Sequence, residues 1–476
     1  QHRREGRLLH HPVHGATVTG AATVAAACRM LRALCLAGIL GFALAPVAVQ
    51  AAQDEDEPPL APPEAGPAGS PAGGRTEESA VRNALAQSGI TGSLRAGFWS
   101  SNRRLDDETN ISVASAWLKL DKKLESGIGL FAEGYLANED VFGDRRDESR
   151  LREGYVEGRK GNFDYRVGKQ IIAWGRTDRF NPTDNLTPRD ATLLAGDIDE
   201  DRFGSLAAKA SWNFNASTSL TGIWIPQFRP NVVPLPPRPG VTYQENVPDS
   251  SRQWALKLDQ SGKAVDWSVS WFDGFDLSAD VSPGPLTAAG QVVKLDHNRI
   301  KVLGADVATT RGSYRFALEG AYVRTEDPDG TDPGMKNPFL YGVFGVERDY
   351  PDNLTVIVQT FTRHVMRYSN PEDIVNPAAR ALAVQQAVVN AQYDRTQQGM
   401  SLRIDKKWFN ETLEGEIAAI ALLNRNGYFV RPRMIYLWTD SIKVIAGYEY
   451  FSGSDKTTYG LLEKNTTLYT EVRWYF

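Results

Sequence analysis

Charged side chains in this sequence of 476 residues recur at every second position in many places. Arg403, Asp405 and Lys407 do so, then Glu414 and Glu416, Arg431 and Arg433, and finally Glu471 and Arg473. Upstream, Lys119, Glu133, Glu153, Glu157, Arg166, Lys209, Arg315 and Glu319 fall into the same pattern. In a confined wet space such residues can do two things. They can pair with opposite charges on neighbouring segments, or one sign can dominate at a narrowing and act as a selectivity field. Glu414 and Glu416 fall beside Arg403 and Lys407 or Arg431 and Arg433, which favours mutual pairing, with basic residues slightly in excess.

Nucleophilic and metal chemistry find less support. After residue 51 the only histidines are His297 and His364, and no G-x-S-x-G motif accompanies either. A Ser–His pair needs the two side chains within hydrogen-bond reach. His364 shares its parity with Val356, Val358 and Met366, the lipid-side face, and His297 precedes a strand in a loop. The chain therefore reads as a non-enzyme. Glu326 to Asp332 spaces oxygen ligands somewhat like the start of a calcium loop but lacks the twelve-residue pattern, so it reads as a turn. Neither a metal nor a cofactor is expected.

Alternation with period two is the mark of strands, whose side chains point to opposite faces. From Gly89 onward, alternating stretches of about ten residues begin near Gly89, Asn110, Gly127, Ser149, Phe163, Phe203, Ser217, Gln253 and Ala264. They continue near Asn298, Ser313, Phe339, Leu354, Gly399, Thr412, Tyr428, Ile442 and Asn465, eighteen in all, with sixteen as the alternative count. Most connections alternate short and long: Lys160 to Asn162, Phe214 to Ala216 and Pro351-Asp352 are short, whereas Ala173 to Asp201, Pro230 to Ser251 and Tyr368 to Gln398 are long. Asn424 to Asn426 breaks the rule. No apolar run reaches the twenty or so residues that a spanning helix needs, and mean hydropathy is −0.37. The remaining way to cross lipid is a closed sheet in which every backbone polar group is paired. The expected fold is thus all-β: a transmembrane antiparallel β-barrel with short periplasmic turns, long extracellular loops, apolar residues toward lipid and the charged ones above lining the pore.

The front of the chain supports export. Met30, Leu31-Arg32, the apolar stretch Ala33 to Val49 and the small residues around Ala51 form a secretory signal, with residues 1–29 as an upstream extension. Cys28 and Cys35 both precede that cut. Removing residues 1–51, with five arginines and one glutamate, takes 53 basic and 58 acidic residues to 48 and 57, a net charge of −9 that argues against nucleic acid as a partner. Residues 52–87, rich in Pro, Ala, Gly and Glu, read as an unstructured periplasmic linker, and 88–476 as the barrel.

The last nine residues put Leu468, Thr470, Val472, Trp474 and Phe476 on one face and Tyr469, Glu471, Arg473 and Tyr475 on the other. A strand ending on Phe476 resembles the signal by which outer-membrane barrels are recognised for insertion, which implies the barrel-assembly machinery as a partner. This strand should close the barrel against the one near Gly89. Trp99, Tyr135, Trp174, Trp224, Tyr341, Tyr436, Trp438, Tyr448 and Trp474 lie near strand ends, where aromatic girdles form. Trp117, Tyr155 and Trp174 are the aromatics that would serve an inward sugar-stacking path.

Gly168-Lys169-Gln170, then Trp174-Gly175, then Asn181-Pro182 is the most distinctive stretch. It resembles the "G-x-Q…W-G…N-P" region of proteobacterial outer-membrane porin-like barrels. That group includes an uncharacterised domain-of-unknown-function family and, more distantly, alginate-export-type barrels. The resemblance implies that the long loop here can fold inward and narrow the pore, making Arg176, Asp178, Arg179, Asp184, Arg189 and Asp190 the charges that a solute meets. The other reading is an external loop pinned by prolines and Asx turns. Ala378 to Ala391, behind Pro377, should form a helix across the mouth or in the lumen.

Taken together, the residues point to a porin-like channel in the outer membrane of a Gram-negative bacterium. It would pass small solutes passively, sit in outer-membrane lipid and have the option of homo-oligomers. The alternatives are an export conduit for a polymer or hydrophobic product with a periplasmic partner, and a plugged barrel with a surface-binding or structural role.

Overall fold

The computed structural model describes residues 88–476 except 102–109, 140, 142–145, 234, 236–238, 249–250, 263 and 333. The signal around Met30, both cysteines and the linker 52–87 lie outside the described residues. In chain order the elements begin β1 (Ile90–Ser101), β2 (Asn110–Lys123), β3 (Gly129–Glu139), β4 (Arg146–Lys160), β5 (Phe163–Gln170), β6 (Ser205–Asn213) and β7 (Thr218–Ile225). Next come β8 (Val241–Asn246), β9 (Gln253–Gln260), β10 (Asp266–Phe275), β11 (Asp280–Thr287), β12 (Gly290–Asp296), β13 (Arg299–Arg311) and β14 (Tyr314–Arg324). Then follow β15 (Phe339–Tyr350), β16 (Leu354–Val365), the helix α1 (Pro377–Val389), β17 (Thr396–Trp408), β18 (Leu413–Leu422), β19 (Gly427–Thr439), β20 (Ile442–Gly453) and β21 (Thr467–Tyr475).

All of these strands except β8, β11 and β12 form one antiparallel sheet of eighteen. It closes because β21 pairs with β1, with Arg95 opposite Arg473. Gly92 and Phe476 then exchange two backbone hydrogen bonds of 3.1 and 3.0 Å. Closure removes the unpaired edges that an open sheet would expose to lipid. At one rim the hairpins are tight, as at Gly161-Asn162 and Pro351–Asn353. The other rim carries the long connections, and the chain from Leu423 to Asn426 is the short exception.

The alternation sorts side chains as expected. In β21 Tyr469, Glu471 and Arg473 are buried inside, while Leu468 (55%), Val472 (41%) and Trp474 (37%) are exposed on the outer face. In β6 Ser205, Ala207, Lys209 and Ser211 turn inward and Leu206 and Trp212 outward. A bulge breaks this parity in β4, where the register against β3 shifts between Glu133 and Gly134, so Arg152 and Glu153 both face in.

Two expectations need correction. Trp99, Tyr135, Trp174 and Tyr341 do not belong to the lipid-facing girdles. Trp99 is buried in the lumen against Tyr469 (ring centroids 6.1 Å apart), Tyr135 stacks on Trp117 at 4.6 Å, and Trp174 and Tyr341 join an internal apolar cluster. Their parity, not their closeness to a strand end, decides the face. Trp224, Tyr436, Trp438, Tyr448 and Trp474 are exposed on the outside. Nor is the lumen polar throughout. Ile223, Ile225, Ala255, Phe272, Ile300, Val302, Ala321, Val323 and Phe339 all point inward and pack with Ile172, Trp174 and Leu186.

Beyond the outer rim, β11 pairs antiparallel with β12, which pairs parallel with β8. Helix α1 rests on this small sheet, with Gln386 donating to the Val281 carbonyl at 3.0 Å and Asn390 accepting from the Val281 N–H at 3.1 Å. Helix, sheet and the 325–338 connection line an open cavity of about 780 Å³.

Candidate functional site: a connection folded into the lumen

The chain between β5 and β6, residues 171–204, does not stay outside. It crosses the barrel interior and is tied to strands all around the wall. The sequence motif explains its take-off. Gln170 has no exposed surface and its Nε2 donates to the Ala207 carbonyl at 3.0 Å. Gly175 has φ of +109°, which disfavours side chains, and a Cβ there would lie 2.6 Å from Glu319 Oε2. Asn181 Nδ2 donates to the Thr177 carbonyl at 2.7 Å, closing the turn before Pro182.

The central anchor is Glu319 on β14, a carboxylate 1% exposed. One oxygen accepts from Thr183 N–H (2.9 Å) and Thr183 Oγ1 (2.8 Å); the other accepts from Thr177 Oγ1 (2.9 Å) and Arg176 N–H (3.1 Å). Several donors on one carboxylate are what a buried anion requires in place of water. Arg176 continues to Asp306 on β13 (2.6 Å) and Asp259 on β9 (2.7 Å), and its carbonyl accepts from Arg315 Nη2 at 3.0 Å. Arg179 N–H donates to Gln359 Oε1 on β16 at 3.0 Å, and Phe180 packs on Phe361, centroids 4.4 Å apart. Asp178 pairs with Arg403 on β17 at 2.5 Å.

The second half of the segment reaches the opposite wall. Gly196 N–H donates to Glu471 at 2.7 Å, and Glu200 receives Arg473 at 2.8 Å and Arg95 at 2.8 Å. Leu194 packs into the cluster of Trp99, Ile111, Val113, Ile435, Ile445 and Tyr469. Within and beside the segment, Asp184 pairs with Arg202 (2.7 Å), Arg189 with Asp201 (2.7 Å) and Asp190 with Arg150 of β4 (2.6 Å). The six charges proposed for this loop therefore all lie in a segment inside the barrel.

The charges on the strands are mostly engaged with one another. Glu133 pairs with Arg152 (2.5 Å), Glu157 with Arg166 (2.7 Å), Arg315 with Glu347 (3.1 Å) and Arg403 with Asp405 (2.7 Å). Glu416 bridges Arg431 and Arg433 at 3.0 Å each, all three buried, and Arg473 holds Glu471 at 2.7 Å. Glu414 stands opposite Lys407 in the register, and Glu153 accepts from the Ile171 N–H at 2.6 Å. Lys119 lies over the Phe131 ring at 5.3 Å, and Lys209 stands opposite Arg166. The ring faces suggested for sugar stacking are occupied. Arg95 covers Trp117 at 4.0 Å, Arg166 covers Tyr155 at 4.1 Å, and Lys257 stands 5.8 Å from Trp174.

Sequence reasoning missed Arg95, Arg150, Arg152, Thr183, Glu200 and Gln359. Arg95 shares the parity of Ser93 and could have been read from it, whereas the β4 bulge hides Arg152. Among the described residues neither histidine pairs with a serine: His297 Nδ1 lies 2.8 Å from the Asp276 carbonyl and His364 Nδ1 lies 2.8 Å from Thr396 Oγ1. In the calcium-like turn, the Asp327 carboxylate accepts from the Asp332 N–H at 2.8 Å.

A closed antiparallel sheet of eighteen strands, greasy outside and charged inside, with one long connection folded through it, defines a porin-like outer-membrane β-barrel. The chain belongs to the family described as "Protein of unknown function (DUF1302)", which matches residues 106–417. No curated protein matches it. Among solved structures it is similar to OccD3 (OpdP) of Pseudomonas aeruginosa, at 11% identity and TM-score 0.49, over 82% of this chain and 91% of that one. It is also similar to OccK11 (OpdR) of the same organism, at 11% and 0.46 over 81% and 94%. OmpTdeltaL8, an outer membrane protein of Vibrio cholerae, follows at 11% and 0.37 over 81% and 98%.

Proposed function

We propose that this barrel is a passive channel for small solutes in the outer membrane of a Gram-negative bacterium, with residues 171–204 as its constriction. The observation that carries this reading is the anchoring of that segment across the lumen through Glu319, Gln359, Arg403 and Glu471. A segment pinned to many strands by buried polar contacts narrows the path while leaving charged groups along it, the arrangement by which pores sort solutes. Lipid meets the outer face, and Phe476 is offered to the assembly machinery. The apolar packing of Ile172, Trp174, Leu186 and Leu194 favours a second reading, a plugged barrel with a surface role.

Purified protein in planar bilayers separates the two. Stepwise open currents that grow when residues 176–201 are replaced by a short Gly-Ser link fit the channel. A wild-type barrel without conductance that conducts only after that replacement fits the plug and overturns passive passage.

A further inference from the structure

One rung of the lipid-facing surface, beside the tight hairpins, carries cations in place of apolar side chains. Arg311 on β13 stands opposite Tyr314 on β14, which in turn stands opposite Arg348 on β15. These positions share the outward parity of the exposed Leu303, Leu318 and Phe344. One rung further from the rim the face is apolar again, with Phe316, Val346 and Val358 side by side. The change from acyl chain to head group therefore falls at the arginines, where a charge facing lipid costs little.

Two tyrosines hold Arg348 in place there. Its guanidinium carbon lies 4.6 Å from the centre of the Tyr314 ring and 4.2 Å from that of Tyr350. Its Nη1 donates to Tyr314 Oη at 2.5 Å, while its Nε is buried with no hydrogen-bond acceptor. Neither Arg348 nor Arg311 forms an ion pair among the described residues. The carboxylates that flank Arg348 on β15 turn inward: Glu347 takes Arg315, and Asp349 accepts from Thr355 Oγ1 at 2.8 Å. Lys406 on β17, outward as well, donates to the Asp352 carbonyl and adds a third positive charge along the rim.

We infer that Arg311, Tyr314 and Arg348 form a head-group site for an anionic phospholipid in the leaflet at the tight-hairpin rim. The phosphodiester sits on the Arg348 fork, and the acyl chains run along Phe316, Val346 and Val358. A guanidinium grips phosphate through two parallel N–H donors, and stacking on aromatic rings keeps its fork in one orientation. The Tyr314 hydroxyl accepts from Arg348, so its own hydrogen is left to donate to a phosphate oxygen. Two strand spacings set the Arg311 and Arg348 backbones about 10 Å apart, close enough for both side chains to reach one head group. A cluster of cations with no paired carboxylate favours a net-negative head group over a zwitterionic one, whose amine it repels. The site needs the barrel in its membrane and is independent of whether the pore conducts.

Native mass spectrometry of the purified full chain in detergent, titrated with phosphatidylglycerol or phosphatidylcholine, tests the site. The expected result is saturable retention of phosphatidylglycerol that phosphatidylcholine does not match. Arg348→Gln and Arg311→Gln, each verified as folded by its heat-modifiable band, should each weaken phosphatidylglycerol binding about fivefold. Lys160→Gln, which removes an exposed outward cation elsewhere on the same rim, should leave it unchanged. Equal retention of the two lipids by the wild-type chain, unchanged binding in folded Arg348→Gln, or an equal loss in Lys160→Gln would overturn the site. Excess inorganic phosphate should leave the lipid bound; displacement would reveal a bare phosphate site and overturn the lipid assignment.

Discussion

Glu319 and Thr183, 136 residues apart in the chain, are joined by two hydrogen bonds of 2.9 and 2.8 Å from the threonine N–H and hydroxyl to one carboxylate oxygen. The pair fixes the inward segment to β14 where both partners are buried, so a loss on either side leaves polar groups stranded.

Glu319→Ala should therefore loosen the segment more than any single change within it. Leaving a buried N–H or O–H donor such as those of Thr183 without its acceptor costs about 1–3 kcal/mol. The expected outcome is a lower midpoint in urea unfolding followed by tryptophan fluorescence, and larger, noisier single-channel currents. Unchanged currents would mean that the remaining contacts hold the segment alone. Glu319→Gln, which keeps the shape, should lie between.

Glu416 gives a second test because it alone bridges Arg431 and Arg433. Glu416→Ala leaves the buried Arg431 guanidinium without an ion pair and Arg433 with only Asp197 at 3.7 Å, and should destabilise the barrel by about 3–5 kcal/mol. Arg159→Ala, which breaks an exposed pair with Asp164, should leave the unfolding midpoint essentially unchanged. Equal midpoints for the two variants would contradict the burial argument.

The outer face makes the opposite demand. Val472 lies between Glu471 and Arg473 yet is 41% exposed on the outside. Val472→Arg should cost about 2–4 kcal/mol if it lies near the bilayer midplane. Refolding yield into lipid vesicles reads the effect, and a yield equal to wild type would place this residue near an interface instead.

Lys336, in the connection after β14, sets a pH expectation. Burial pulls its ammonium down, but Asp276 at 3.2 Å and Asp280 at 2.9 Å outweigh that and raise it above the ordinary lysine value. A group raised on folding stabilises at every pH below its unfolded value, about 10.5, and that stabilisation is lost only as the pH climbs through the higher folded value. Limited proteolysis of the 325–338 connection by a protease active in alkali should stay constant from neutral pH to about 10 and rise beyond it. In Lys336→Met, cleavage should already be fast at neutral pH.

The barrel was legible because lipid outside and water inside enforce alternation, which the strands follow except at bulges such as the one in β4. The C-terminal strand carried both its faces and its pairing with β1 in plain view. The outer sheet was not legible: β11 contains Pro283, Gly284 and Pro285, and β8 has only six residues, so neither presents a clean period. Arg152 was hidden by one extra residue at the bulge. Trp99 and Tyr135 stand near strand ends, which suggested girdles, although their parity with Arg95 and Glu133 points inward. The direction of the 171–204 segment could not be read locally, because Pro182, Pro188 and the Asx turns suit an outer loop equally well. What draws it in are Asp306, Glu319, Gln359, Arg403 and Glu471, each more than a hundred positions downstream.

That separation has a consequence for biosynthesis. The segment leaves the ribosome after Arg95 and Arg150 but well before Asp306, Glu319, Gln359, Arg403, Glu471 and Arg473. Contacts so distant in sequence form late, since chain closure must precede them. The segment must wait, only partly moored, until β21 has arrived, so the cylinder is laid down around its own obstruction. A chain shortened by its final strand would lose at once its seam and the far mooring of that obstruction.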